Sequence, residues 1–283
     1  MNQFDFDYHC LIEDLFHYGR VKKSRAQLSD GSKPDTRSFF GRQLQFDLRE
    51  GFPLITTKKV HWESVRTELC WMLRGLTNVK YLQDRGVKIW DQWARKNGEL
   101  GPVYGKQWRE WSGLFLDPED TDQVANLVRD IEAIKKDPNH PSSRRLILSA
   151  WNVGYVSQMA LPPCHLLAQF EVYEGELSCH MYQRSADAFL GVPFNIAQYA
   201  LLTSILAKVT GLTPGELVIS YGDVHIYENH LDQIKEQLSR SSFPPPTLMI
   251  KDRPGAMPWE FEPEDLEMFY YQSHPALKGE VAV

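Results

Sequence analysis

The chain has 283 residues, of which 42% are hydrophobic and 12% aromatic, so it can bury a substantial core in one large domain or two small ones. Its formal net charge of −6 at pH 7 argues against a general nucleic-acid surface. A few well-placed arginines could still bind the phosphate of a nucleotide.

The amino-terminal sequence and the cysteines indicate a reducing cytoplasm. The first ten residues, MNQFDFDYHC, lack the basic and then apolar order of a signal peptide, and no run of about 18 apolar residues could span a membrane. None of the four cysteines forms a C-x-x-C pair, so no metal site is expected. We expect Cys10, Cys70 and Cys179 to be packing residues, and unpaired thiols fit a reducing compartment.

The first quarter of the chain predicts helix, loop, strand and helix in turn. Apolar residues at helical spacing predict a helix over residues 5–18, and the polar residues 21–36, with their SDG and KPD turn signals, predict a loop. Alternation over residues 37–48 predicts a strand. A helix predicted over residues 61–74 carries Glu68 among apolar neighbours, where a carboxylate is either paired or functional.

The middle of the chain is rich in tryptophan and then basic. Packing in the core or at the surface is expected for Trp108 and Trp111. A helix is predicted over residues 123–136, with Thr121 as its N-cap. Arg144 and Arg145 directly precede a strand predicted over residues 146–151. Adjacent side chains on a strand point to opposite faces, so only one of them could serve a pocket in its own subunit; a surface basic pair is the alternative.

A reactive cysteine is predicted in the segment LPPCH. Two alternating segments follow, residues 165–173 and 176–184, and predict a hairpin. Cys164 is the candidate nucleophile, and a nearby cation such as Arg184 would favour its thiolate. Arg184 and Ser185 also suit a phosphate group. A Cys164–His165 dyad is not expected, because consecutive side chains on an extended segment point apart and no protease signature is present.

Asn195 is the candidate reader of a base. It precedes a helix predicted over residues 196–209. A side-chain amide can donate to a carbonyl and accept from an N–H, which matches O4 and N3–H of uracil, whereas cytosine shows the opposite pattern. A buried mismatch costs about 1–3 kcal/mol, enough for strong discrimination. An N-cap is the alternative role for Asn195, and the two roles are compatible.

Several long blocks together resemble thymidylate synthase from about Phe39 onward: GFPLITTKK, IWDQWA, GPVYGKQW, SSRRLILSAWN, PPCH, QRSADAFLGVPFN, GDVHIYENH and HPALKGEVAV. The resemblance implies an α/β (α+β) fold in a single domain over residues 1–283. In this fold a mixed, mostly antiparallel sheet carries helices on one side. It also implies a homodimer with the sheets back to back and shared active sites.

The resemblance further implies reductive methylation of dUMP to dTMP, with 5,10-methylenetetrahydrofolate as the one-carbon and hydride donor. Cys164 would add to the pyrimidine, Glu68 would organise water near O4, and Tyr104 would assist proton removal from C5. The implied dUMP contacts are Arg25, Arg144 and Arg145 from the partner subunit, Arg184, Ser185, Asp187, Asn195, His225 and Tyr227. The implied folate contacts are Lys58, His61, Trp90, Trp93, Asp187 and Ala282 in a tail that closes over the site. For Lys58, a solvated side chain is the alternative.

One segment departs from the family pattern. Many members carry an RTGTG-like run, with an arginine for the substrate phosphate, where this chain has the longer loop of residues 21–36. Arg25 is the candidate for that role, and Lys23 or Lys33 could substitute. A solvated basic loop without a phosphate role is the alternative.

Two rival functions remain open from the sequence. A dUMP or dCMP hydroxymethylase would use the same nucleophile and quench the intermediate with water. Related dCMP hydroxymethylases carry Asp at the position of Asn195, which argues against cytosine, and Trp90 with the closing tail argues for water exclusion. The other rival is a non-catalytic RNA-binding protein. The negative net charge argues against it, so nucleic-acid binding is expected to be at most secondary.

Overall fold

The computed structural model describes residues 1–111 and 121–282, and a six-stranded mixed sheet organises them. The strands of this sheet are β1 (Arg20–Lys22), β2 (Thr36–Asp47), β3 (Ile147–Ser149), β4 (His165–Tyr173), β5 (Glu176–Asp187) and β6 (Thr213–Tyr227). They lie in the order β1-β2-β6-β5-β4-β3. Only the β5–β6 pair is parallel in this sheet of the described chain, and the other four pairs are antiparallel. A separate antiparallel pair joins β7 (Thr247–Ile250) to β8 (Leu266–Phe269).

Seven α-helices accompany the strands within the described residues. They are α1 (Gln3–Tyr18), α2 (Trp62–Leu73), α3 (Lys80–Gln83), α4 (Tyr104–Arg109), α5 (Gln123–Lys136), α6 (Val192–Thr210) and α7 (Leu231–Leu238). The predicted fold class, a mostly antiparallel mixed sheet with helices, is therefore confirmed. The predicted helices over residues 5–18, 61–74 and 123–136 are confirmed to within two residues at either end.

The β4–β5 hairpin is formed as predicted. Glu174 (φ 46°) and Gly175 (φ 83°) make its two-residue turn, and positive φ at both positions gives the right-handed twist that adjacent strands need. After the turn, β5 continues three residues beyond the predicted end at Arg184 and pairs in parallel with β6. This extension brings Ser185 and Asp187 opposite Asp223 and His225, so residues far apart in sequence meet at one end of the sheet.

The central helix α6 begins earlier than predicted. It starts at Val192 rather than at residue 196, since Pro193 lies in the first turn, where its missing N–H breaks no helical bond. Gly191 occupies the N-cap position and the Asn195 N–H donates to the Gly191 carbonyl, so the prediction of Asn195 as N-cap is wrong. The helix is long and apolar enough to cross a membrane, but 78% of its most apolar window is buried, which makes it a core helix.

A buried carboxylate that sequence reasoning missed anchors α1 to the GFPLITTKK segment. Asp5 is fully buried and accepts hydrogen bonds from the Thr56 N–H at 3.0 Å and the Thr56 hydroxyl at 2.7 Å. The Thr57 N–H and hydroxyl both donate to it at 3.2 Å. With Asn2 Nδ2, which donates at 2.7 Å, these groups satisfy the buried carboxyl and hold the segment that leads to Lys58.

Four smaller predictions need correction. Cys10 is exposed rather than packed, whereas Cys70 and Cys179 are buried as predicted. Asp122, not Thr121, caps α5, because its carboxylate accepts from the Ala125 N–H at 3.0 Å. Residues 21 and 22 belong to the short strand β1, so the predicted loop covers residues 23–35. The strand predicted over residues 146–151 is shorter, covering only the three residues of β3.

The two adjacent arginines do not lie on a strand. Arg144 ends a short 3₁₀ turn, Pro141–Arg144, and Arg145 follows it as the cap residue before β3. Both are exposed, and neither has an ion-pair partner in the ranges that the structure describes. The argument that strand geometry would place them on opposite faces therefore does not apply.

Candidate active site

Cys164 lies immediately before β4, where two hydrogen bonds to its own backbone and two to the preceding prolines hold it in place. Its N–H donates to the Tyr104 hydroxyl at 2.8 Å, and its carbonyl accepts from the Arg184 N–H at 2.8 Å. The Arg184 guanidinium in turn donates to the carbonyls of Pro163 and Pro162 at 2.8 and 2.9 Å. The Pro-Pro-Cys turn and the end of β5 therefore fix each other, with the half-buried thiol between them.

Burial and Arg184 act in opposite directions on this thiol. Arg184 Nη2 lies 3.9 Å from Cys164 Sγ and lowers the pKa of the thiol, as predicted. Burial raises that pKa by more, so the net pKa of Cys164 lies above the ordinary value and the thiol is protonated at neutral pH. In this resting structure Arg184 alone does not produce the thiolate.

His165 faces away from the thiol and lies in a different network. Its ring stacks on Tyr104, with 4.7 Å between centroids, and its Nδ1 and Nε2 each lie 3.3 Å from Tyr199 Oη and Asn195 Nδ2. Burial lowers the pKa of His165 to about 3, so the imidazole is neutral. Because both ring nitrogens have these partners, the structure contains no Cys164–His165 dyad, in agreement with the sequence argument.

The Asn195 amide is held with one donor and one acceptor position left over. Gln183 Nε2 donates to Asn195 Oδ1 at 3.0 Å, and Asn195 Nδ2 faces the neutral His165 Nε2. Each amide group has a second position, one lone pair on the oxygen and one hydrogen on the nitrogen. Gln183 was not singled out from the sequence, because a glutamine in a strand gives no signal of its partner.

Two hydrogen-bond donors hold the Glu68 carboxylate, one on each oxygen. Trp90 Nε1 donates to Oε1 at 2.6 Å and Gln198 Nε2 donates to Oε2 at 2.8 Å. The residue as a whole is half-buried, but its carboxylate end is enclosed, and burial raises the pKa of Glu68 to about 7 against the lowering effect of the two hydrogen bonds. Glu68 is therefore hydrogen-bonded through both oxygens, and with a pKa of about 7 it is partly ionised at neutral pH, while its functional role stays a prediction.

Aromatic rings line the region beside Glu68. Trp90 contacts Trp93 and Tyr104 edge to face, with centroids 5.7 and 6.1 Å apart. Trp108 is buried and packs on Tyr104, as predicted for a packing residue, and Trp111 is half-buried. Trp90, Tyr104 and Trp108 are buried, so their rings pack the region beside Glu68, and a contact of Trp90 or Trp93 with a folate stays a prediction.

Lys58 and His61, both predicted folate contacts, lie in different surroundings. Lys58 is buried; its ammonium donates to the Phe189 carbonyl and lies 3.9 Å from the Phe189 ring centroid, so the prediction of a solvated lysine is wrong. Burial lowers the pKa of Lys58 to about 7. His61 is exposed and caps α2 through Nδ1, which accepts from the Ser64 N–H at 3.3 Å. Their contacts with a folate stay predictions.

The parallel β5–β6 pair carries five of the residues predicted to contact the nucleotide: Arg184, Ser185 and Asp187 on β5, and His225 and Tyr227 on β6. His225 Nδ1 lies 3.0 Å from Asp223 Oδ1, and the His225 ring meets Tyr227 edge to face at 5.2 Å. The Asp187 carboxylate accepts from the N–H groups of Phe189 and Leu190 at 2.9 and 3.0 Å, which shapes the turn into α6. Ser185 is half-buried beside them.

The loop and the two arginines predicted to bind phosphate lie at the surface. Lys23 pairs with Asp35 at 2.8 Å, whereas Arg25 and Lys33 are exposed and have no ion-pair partner in residues 1–111 and 121–282. Within those ranges, no hydrogen bond or ion pair joins Arg25, Arg144 or Arg145 to another predicted site residue. The structure of one chain does not bring these three arginines together with Arg184.

The carboxy-terminal tail is docked onto α7 and the 23–35 loop. The Glu280 carbonyl lies 3.0 Å from His230 Nε2, and Gln233 donates to the Lys278 carbonyl at 3.2 Å. The Glu280 carboxylate accepts from the Ser29 N–H at 2.7 Å. Ala282 is half-buried at the end of the described tail. The tail thus connects the unusual loop to the region around Phe189.

The comparison with known families agrees with this geometry. Residues 6–283 match the family model described as Thymidylate synthase. Within the described ranges, no group of three or more His, Cys, Asp and Glu side chains is placed to hold a metal ion. A match over nearly the whole length, together with the mixed sheet and the cysteine before β4, shows that the chain belongs to the thymidylate synthase family.

Proposed function

We propose that the protein catalyses the reductive methylation of dUMP to dTMP, with 5,10-methylenetetrahydrofolate as the one-carbon and hydride donor. The observation that carries this proposal is the leftover hydrogen-bonding capacity of Asn195. With Gln183 on its oxygen and His165 on its nitrogen, the amide offers one acceptor and one donor. That pair matches N3–H and O4 of uracil and mismatches cytosine.

Cys164 is the nucleophile of the proposed reaction. Its sulfur adds to C6 of the uracil as a thiolate, and the electron pair moves to C5 and O4. Arg184 Nη2 lies 3.9 Å from the sulfur and favours the thiolate. The thiolate attacks the bound substrate once the thiol has lost its proton. Asn195 and water held by Glu68 stabilise the charge on O4.

The remaining steps transfer the carbon and a hydride. C5 bonds to the methylene carbon of the folate as the bond from that carbon to N10 breaks, and N10 takes up a proton. Tyr104, with water, then assists loss of the C5 proton, and breaking the remaining bond from the methylene carbon to N5 leaves an exocyclic methylene on the pyrimidine. Hydride transfer from tetrahydrofolate to that methylene, with expulsion of Cys164 from C6, gives dTMP and dihydrofolate.

Exclusion of water favours methylation over hydroxymethylation. The rings of Trp90 and Trp93 would give the folate an apolar wall, and the tail, which contacts Ser29, His230 and Gln233, would close over the site. A closed site would keep water from quenching the methylene before the hydride arrives.

A homodimer completes the proposed phosphate site. Arg144 and Arg145 are exposed beside β3, an edge strand, and have no ion-pair partner in the described chain, so a second subunit could use them. The outer face of the sheet carries partly exposed Leu167 and Tyr182 among polar side chains, which suits burial against a second sheet. With Arg184 and Arg25, the dUMP phosphate would meet four guanidinium groups.

The direct test supplies purified protein with dUMP and 5,10-methylenetetrahydrofolate. Absorbance follows dihydrofolate, and mass spectrometry identifies the nucleotide. Formation of dTMP in step with dihydrofolate supports the synthase. Hydroxymethyl-dUMP with tetrahydrofolate retained would instead establish a hydroxymethylase.

The 23–35 loop gives a first prediction about phosphate binding. Arg25→Ala is expected to raise KM for dUMP by about tenfold with little change in kcat, because a charge-assisted contact to phosphate is lost. Lys33→Ala, on the same exposed loop, tests the alternative cation, and a rise in KM in that variant instead would assign the phosphate contact to Lys33. Inhibition by deoxyuridine, which lacks the phosphate, should be equal in the parent and in Arg25→Ala. Equal KM values for dUMP in the parent and in Arg25→Ala would leave the loop a solvated basic segment.

The tail gives a second prediction. Glu280→Ala removes the acceptor of the Ser29 N–H and is expected to raise KM for the folate about three- to tenfold, while binding of dUMP alone stays unchanged. Ser29→Ala keeps the backbone donor and should behave as the parent. Titrations of initial rate against folate, combined with calorimetry of dUMP binding, separate the two effects. A similar rise in Ser29→Ala would show that the contact itself is not responsible.

A further inference from the structure

Gln198 is a buried amide on the face of α6 that points into the active site. It lies three residues after Asn195, so the two side chains share one helical face. Its side chain is 2% exposed, donates to Glu68 at 2.8 Å and lies 3.8 Å from Met72 Sδ. A buried amide costs free energy unless its hydrogen bonds are made, and an aliphatic side chain would fill the same space in this apolar helix.

The position of the Glu68 carboxylate depends on two donors from different elements. Trp90, just before the 3₁₀ turn Asp91–Trp93, holds one oxygen at 2.6 Å, and Gln198 on α6 holds the other. One hydrogen bond leaves a carboxylate free to rotate about its terminal torsion, which is a broad and soft one. Two donors, one on each oxygen, fix the plane of the group and direct its remaining lone pairs.

We propose that Gln198 is a positioning residue for Glu68, and that it orients this carboxylate so that the water it holds meets O4 of the pyrimidine. The inference rests on the proposed function, since it concerns the acid–base step at O4. One face of α6 then positions both the Asn195 amide, which reads the base, and the Glu68 carboxylate. A shift of the helix would displace both groups together.

The pH at which Glu68 titrates reports on its hydrogen bond from Gln198. Tyr104 on α4 and Tyr199 on α6 interact electrostatically with Glu68. Burial raises the pKa of both phenols well above its ordinary value, so both are neutral. The hydrogen bond from Gln198 favours the ionised carboxylate and lowers the pKa of Glu68 against burial. Loss of the bond must therefore raise that pKa and reduce the ionised fraction at neutral pH.

The first experiment compares Gln198→Met, which keeps the length and apolar volume but loses the amide, with the parent. The infrared band of the protonated Glu68 carboxyl, assigned by its loss in Glu68→Gln, is followed against pH in the resting protein. Its midpoint is expected to rise by about one pH unit. Gln198→Asn, whose amide is one methylene too short for the contact, should show the same change and serves if Gln198→Met does not fold. Thr203→Val, which removes another buried hydrogen bond on α6, is the matched control and should leave the midpoint unchanged.

The second experiment is a double-mutant cycle on turnover. Gln198→Met is expected to lower kcat by about 10- to 100-fold with a smaller change in KM for dUMP, and to have almost no further effect in the Glu68→Gln background. An unchanged infrared midpoint, or an equal loss of kcat in both backgrounds, would overturn the proposal, since Gln198 would then act on the fold and not through Glu68. The turnover product of the parent protein tests the proposed function separately. If the parent formed no dTMP while Gln198→Met still showed the raised midpoint, the proposed reaction would be refuted and the contact between Gln198 and Glu68 would stand.

Discussion

Replacing Cys164 by serine is expected to lower the proposed turnover of dUMP by at least about 10⁴-fold, because the proposed mechanism has no other nucleophile for C6. A serine hydroxyl is far less acidic than a thiol, and in this structure burial already disfavours the charged form at the same position. Binding of dUMP is expected to survive, since Arg184 is held by the carbonyls of Pro162 and Pro163 and not by the thiol. Rate measurements combined with calorimetry of dUMP binding test both expectations.

Cys10 provides the matched control for this substitution. It is the exposed cysteine among the four, so Cys10→Ser should change neither rate nor stability. Alkylation of the parent protein should modify Cys10 and Cys164, and dUMP should protect only Cys164. A Cys164→Ser protein that retains turnover within tenfold of the parent would remove the proposed mechanism.

Asn195→Asp is expected to lower kcat/KM for dUMP by about 10²-fold or more and to create binding of dCMP. The leftover hydrogen of the amide is replaced by a lone pair, which repels O4 of uracil and accepts from the exocyclic amine of cytosine. The surroundings can accept this change. Gln183 still donates to one oxygen, and neutral His165 can move its proton to Nε2 and donate to the other, with the Tyr199 hydroxyl donating to Nδ1.

The control for Asn195→Asp is another buried amide outside the site. Asn152→Asp loses the hydrogen bond to Gln107 and should reduce stability without changing the ratio of dUMP to dCMP binding. Calorimetric titration with both nucleotides, together with melting curves, measures each effect. If Asn195→Asp bound dUMP as the parent does and ignored dCMP, Asn195 would have no role in reading the base.

Local patterns predicted the elements that carry the site. The hairpin after Cys164 followed from alternation and a Glu-Gly turn, and the helices α1, α2 and α5 followed from the spacing of apolar residues. The start of α6 was misplaced because Pro193 looks like a break, although the first turn of a helix tolerates proline. Cys10 was misjudged because helical spacing does not say which face meets the core.

Sequence by itself therefore determined the class of fold, the family and the chemical types at the site, since long blocks and local periodicity depend on neighbouring residues along the chain. Only the tertiary structure decided the partners of the buried polar groups: Trp90 and Gln198 on Glu68, Gln183 on Asn195, and Phe189 on Lys58. These contacts join residues up to 131 positions apart. Desolvation and long-range pairing set the pKa values of Cys164, Glu68 and Lys58, and neither quantity exists until the sheet and α6 have packed together.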